Sequence, residues 1–237
     1  MKNFKKYWTI IKNFSTFYFK RVINEKVWVI LPLFVILNSA IYIIVSPLTL
    51  SEKDAIKIFN DFLKGSFLIA NLSISILFSI KFVKEDIEQK FVYFLPLRNK
   101  WIYSLYLGLT FFQIIFLILA IWNYFIFSGQ NFNFGVLKEI LNEFLEVNLF
   151  LLFSIFFALI LSSGSAIISA FTLWIIFRNG ENIYQLVKNT KFEKFIMFIL
   201  NLIPNRKSFE NYGLVYFLCW VILIFILIDF VLKKKEF

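Results

Sequence analysis

From Val27 to Ser46 the chain runs for twenty residues without a charged side chain. Backbone amides and carbonyls in hydrocarbon have no water to bond, so such a stretch must satisfy them internally, as an α-helix does. At 1.5 Å per residue, about 20 residues cover the ~30 Å of hydrocarbon in a bilayer. Pro32 sits near the start of the stretch, where a missing N–H does least harm, and Pro47 closes it.

Apolar stretches of the same kind predict further spans over 62–80, 101–127 and 213–232. The run from Asn148 to Phe177 stays apolar for thirty residues, broken only by Ser162, Ser163, Gly164 and Ser165. One crossing needs about 20 residues, so two short spans, 148–162 and 164–177, are expected to meet at that small-residue turn. The expectation is an all-α, polytopic integral membrane protein with six transmembrane helices in one membrane domain, 1–237. Composition agrees: 60% of the residues are apolar and 17% charged, more apolar surface than one soluble core can hide.

Outside the spans the chain is amphipathic or basic. Phe4, Tyr7, Trp8, Ile11, Phe14, Tyr18 and Val22 share one helical face, so 1–26 reads as a helix lying in the bilayer interface. The plainer alternative is an amphipathic helix packed on protein. The segment 178–212 reads as an external, partly helical connection. Within it, Phe192–Ile203 is too short to cross and ends at Pro204. With the N-terminus in the cytoplasm, six spans place 15 Lys and Arg inside and 10 outside. Merging the fourth and fifth spans gives 18 inside and 7 outside, so raw counting favours five. The small-residue break and the mid-loop position of most cations in 178–212 favour six. The net charge of +10 points to anionic lipid rather than nucleic acid as the partner.

What the sequence lacks narrows its function. It has no His, one Cys inside an apolar run (Cys219), and no glycine spacing that cradles phosphate. No carboxylate lies near the middle of a span; Asp229, the deepest, is one turn from Lys233. Neither a catalytic set nor a metal or cofactor site is expected, and proton-coupled transport lacks its usual buried acid. Any active transport must draw its work from another chain.

The most charged stretch between spans runs from Phe82 to Lys100. Ile87, Phe91, Phe94 and Leu95 make one helical face, Glu85, Asp86 and Glu88 suit a first turn, and Pro96 stops the helix ahead of Arg98 and Lys100. This acidic start, aromatic middle and Leu95-Pro96-Leu97-Arg98 close resemble the cytoplasmic loop between the second and third spans of ABC-2 type permeases. The N-terminal amphipathic helix, the six spans, the external element before the last span and the basic C-terminus fit the same architecture.

The resemblance implies that 82–98 is a coupling helix in which Glu85, Asp86, Glu88, Phe91, Pro96 and Arg98 meet a separate ATPase subunit. It also implies a second permease chain, the cytoplasmic membrane as location, and ATP hydrolysis on the partner rather than here. Gln89 and Lys90 stand where some members carry Gly-Thr, so the cargo stays open. The alternative is a non-transporting assembly or scaffold protein, which needs no site at all.

Overall fold

Short polar side chains set where several helices begin. The computed structural model describes the backbone of residues 2–25, 29–48, 51–89, 98–128 and 133–234, and the side chains of these except 2–8, 52, 98 and 99. Its α-helices are α1 (Lys2–Asn24), α2 (Ile30–Val45), α3 (Glu52–Glu88), α4 (Arg98–Ser128), α5 (Phe134–Ile160), α6 (Ser163–Val187), α7 (Glu193–Leu202) and α8 (Arg206–Lys234). No strand occurs among the described residues. Ser51 caps α3, its Oγ accepting from the Asp54 amide at 3.2 Å and donating to the Asp54 carboxylate at 2.6 Å. Asn133 accepts from the Gly135 amide at 2.7 Å to start α5, and Ser162 accepts from the Ser165 amide to start α6.

The helices overrun the span limits expected from hydropathy. The polar stretch before residue 62 forms the opening turns of α3, and most of 129–147 belongs to α5. Capping side chains, the absence of Pro, and a Gly only in the first turn of α5 let these segments continue the helix past the apolar limits. The two short spans expected around the Ser162–Ser165 break are instead helices of 27 and 25 residues, although the break falls where expected. Gly213, with φ +47°, interrupts α8 where the last span was expected to begin.

Among the described residues, five stretches are long and apolar enough to cross a membrane: Ile30–Leu48, Lys53–Glu88, Lys100–Ser128, Phe134–Ile160 and Glu193–Lys234. The helix α6 is not among them, because its second half carries Arg178, Asn179, Glu181 and Asn182. At the centre, α3 packs against α5, α4 and α2; α1 lies on α4, and α8 on α5. Phe59, Phe67, Phe112, Phe116 and Phe150 are buried between these helices. The outer helices keep apolar side chains exposed, with Leu33, Ile36 and Leu37 on α2 and Leu214, Val215 and Ile222 on α8. In water such faces are costly; against lipid they are at home.

Side-chain bonds assign the helix ends to two sides. On one side, α1 meets the C-terminal end of α3 through Lys81 and Glu25, 2.7 Å apart. Lys84 of α3 donates to the Leu161 carbonyl at the α5–α6 turn, and Tyr103 near the start of α4 reaches Asp229 near the end of α8 at 3.4 Å. On the other side, Lys64 of α3 pairs with Glu139 of α5 at 2.6 Å, and Arg178 of α6 pairs with Glu146 at 2.8 Å. Between Lys64 and Lys81, α3 carries no charge. That interval is about 25 Å of helix axis, which snorkelling lysines extend to the hydrocarbon thickness.

Candidate functional site

The last two turns of α3 hold the acids on which the sequence focuses. Among the described residues, 82–88 form no separate helix but continue α3, which Gln89 caps. Glu85, Asp86 and Glu88 therefore lie near a helix C-terminus rather than in a first turn. The helix dipole is adverse to negative charge there, so the acids need cations from elsewhere. Nothing between Ile80 and Glu88 breaks a helix, which is why the span and the charged segment are one element.

The compensation comes from α1 and α4. Asp86 is 2% exposed and gathers three donors. The Tyr18 hydroxyl donates to Oδ2 through a short bond, the Trp101 indole N–H donates to the same oxygen at 2.8 Å, and Arg21 Nη1 donates to Oδ1 at 2.6 Å. Arg21 Nη2 donates to Glu85 Oε2 at 2.5 Å, and the guanidinium lies 4.4 Å from the centre of the Phe82 ring. Burial first, then the Asp86 charge, pushes the Tyr18 phenol far above its usual value, so it stays a neutral donor. Burial alone would lower the Arg21 value, but its bonds to Asp86 and Glu85 raise it instead.

The fit of α1 on α4 brings these groups into reach. Ser15, Tyr18 and Val22 fall at helical spacing and form the buried face of α1. Opposite them stands Gly108, where a Cβ would lie 2.7 Å from both the Ser15 carbonyl oxygen and the Tyr18 Cβ. No larger residue lets the two backbones approach this closely. The described part of the amphipathic N-terminal face thus packs on α4.

Of the sequence-predicted partner-binding residues, the structure brings Glu85 and Asp86 into this cluster. Glu88 is exposed at the end of α3. Phe91 and Pro96 lie outside the described residues, and Arg98 opens α4 with a side chain that is likewise outside them. Sequence reasoning missed Tyr18, Arg21 and Trp101. Tyr18 was placed only on an apolar helical face, and Trp101 fell only at the start of the expected span 101–127, whereas its side chain is 1% exposed.

A second cluster of similar make-up closes the opposite end. Arg178 Nε and Nη2 donate to the two oxygens of Glu146 at 2.8 and 2.9 Å, Nη2 also reaches Glu143 at 3.2 Å, and Trp174 Nε1–H donates to Glu146 at 2.7 Å. Between the two ends the polar contacts are uncharged, such as Gln113 to Ser75 at 2.5 Å and Thr110 to Asn148 at 2.9 Å. These pin α4 to α3 and to α5. Among the described residues no group of His, Cys, Asp or Glu is arranged to hold a metal ion. What the first cluster does is mechanical: it fastens α1, α3 and α4 together at one end.

The chain matches no family model, and no curated protein or solved structure is significantly similar to it.

Proposed function

We propose that this chain is the membrane-spanning subunit of an ATP-driven transporter of the ABC-2 type, worked by a separate ATPase that docks at the end holding Asp86. In this reading α2, α3, α4, α5, α6 and the part of α8 after Gly213 make six crossings. Bonds at the Asp86 end join α1, the end of α3, the α5–α6 turn and the end of α8, a pattern that fits an even number of crossings. The crossing by α6 is supported by its 25 residues, about 37 Å of helix, and by Arg178 being neutralised against Glu143 and Glu146. The excess of Lys and Arg at the Asp86 end supports a cytoplasmic location for that end and for the N-terminus. The working unit is two such chains with their ATPase subunits in the cell membrane; no nucleic acid takes part.

The observation that carries the reading is the Tyr18–Arg21–Asp86–Trp101 cluster. A push delivered next to the end of α3 moves α1, α3 and α4 as one body, because parting them leaves a buried carboxylate unpaired. Asp86 is buried and Glu85 is committed to Arg21, so Glu88 is the most exposed of the three acids towards a partner.

The test is charge reversal at that exposed position. The full-length chain is purified with its ATPase, and Glu88→Lys should lower the copurifying ATP hydrolysis about tenfold, as loss of a docking charge does. Membrane insertion and thermal stability should be unchanged. Undiminished hydrolysis with Glu88→Lys, or uphill solute movement by the purified chain alone, would refute the proposal.

A further inference from the structure

At the end opposite Asp86, a cavity of about 810 Å³ lies between the end of α6, α7 and the start of α8. It has two kinds of wall. Phe177, Met197, Leu200 and Ile203 give it an apolar wall, while Arg178, Arg206, Lys207, Glu181 and Glu210 give it a charged one. The cations are not equally committed. Arg178 is held by Glu146 and Glu143 and is largely buried. Lys207 meets Glu181 at 3.3 Å with both side chains about three-quarters exposed, and Arg206 meets Glu210 at 2.6 Å with both about half exposed. Such surface pairs hold weakly and exchange for a better anion. The amides of Asn201 and Asn211 line the same space and add donors.

The surroundings say what kind of anion. The uncharged run of α8 begins directly after Glu210, which places the cavity at headgroup depth. Outside it, α7 exposes Phe195, Phe198 and Leu202, and α8 exposes Leu214, Val215 and Leu218. The ten-residue α7 is thus a wall with Met197 and Leu200 towards the cavity and aromatic rings on its outer side. Gly180 lies on the cavity wall, and a Cβ there meets only Leu200, at 3.6 Å.

We propose that this cavity binds the headgroup of one anionic phospholipid, with the acyl chains along the exposed apolar sides of α7 and α8. Arg206 and Lys207 take the phosphate, and the apolar wall takes the glycerol and the first methylenes. The site does not depend on the ATPase-driven reading above; it needs only this end of the bundle at a membrane face.

The test uses the full-length chain in nanodiscs of phosphatidylcholine with a minority of phosphatidylglycerol, counting retained lipid by native mass spectrometry. Wild type should retain one phosphatidylglycerol per chain in preference to phosphatidylcholine. Arg206→Gln with Lys207→Gln should lower that retention at least tenfold, since each cation near a charged lipid surface contributes about fivefold. Gly180→Phe, which fills the cavity without changing charge, should lower it as well. Lys233→Gln with Lys234→Gln, the same charge change at the other end, should leave it intact, and glycerol phosphate should not compete. Equal retention of the two lipids, indifference to Gly180→Phe, or displacement by glycerol phosphate would each overturn the proposal, the last in favour of a soluble phosphate ester.

Discussion

Replacing Arg21 with Met keeps the length and much of the apolar stem of the side chain but removes the cation that neutralises Asp86. Two bonds disappear, at 2.6 Å to Asp86 and 2.5 Å to Glu85. Stripping one partner from a buried ion pair costs about 3–5 kcal/mol. Arg21 keeps 19% side-chain exposure, and Tyr18 and Trp101 still donate to Asp86 in the variant, so the lower end applies, about 3 kcal/mol. Spent on the attachment of α1, that is roughly a hundredfold rise in the population with α1 released. Tryptic cleavage after Lys20 in the purified full-length chain reads that population when reclosing outpaces cutting. Arg21→Met should be cut about a hundred times faster than wild type, and Lys12→Met, at an exposed position of the same helix, at the wild-type rate. Adding Asp86→Asn should recover part of the loss, because no buried charge is then left alone. Cleavage of Arg21→Met at the wild-type rate would refute the idea that this cluster fastens α1 to α3 and α4.

Other perturbations follow from the same geometry. Gly108→Ala forces a Cβ to within 2.7 Å of the Ser15 carbonyl and should cost about 1–3 kcal/mol, read as a lower unfolding midpoint. Gly164→Ala, with nothing within 4 Å, should not lower it. Trp174→Phe removes the 2.7 Å donor to Glu146 and should cost about 1.5–3 kcal/mol in the same assay, the range for a bond to a charged group. Ser162→Ala removes the cap of α6 and should cost about 1 kcal/mol.

The all-helical class, the apolar stretches and the break at Ser162–Ser165 were legible because each depends on neighbouring residues, as was the start of the last apolar run at Gly213. Uncharged runs, small-residue turns and glycine act within a few positions. Helix ends were less legible. Hydropathy reports where the chain leaves hydrocarbon, whereas Ser51, Asn133 and the absence of breakers before Glu88 decide where the helix stops. Ser51-x-x-Asp54 carried a capping signal that would have moved the start of α3 earlier. The cluster around Asp86 was half visible. Its acids stood out in sequence, but their partners Tyr18 and Arg21 lie 68 and 65 positions away. Only the packing of α1 at Gly108 brings them together, and no local pattern encodes that approach. The Arg178–Glu146–Trp174 cluster was missed for the same reason, since Trp174 and Arg178 lie 28 and 32 positions from Glu146.

The alternating path of six crossings is tested most directly by labelling single cysteines with a membrane-impermeant maleimide. In a chain lacking Cys219, cysteines at Lys57, Gly164, Thr190 and Lys234 all occupy exposed positions. Lys57→Cys and Thr190→Cys should react in intact cells, while Gly164→Cys and Lys234→Cys should react only after the membrane is opened. Reaction of Gly164→Cys in intact cells, or no reaction there from either side, would contradict the α5–α6 turn lying at the cytoplasmic end beside Lys84.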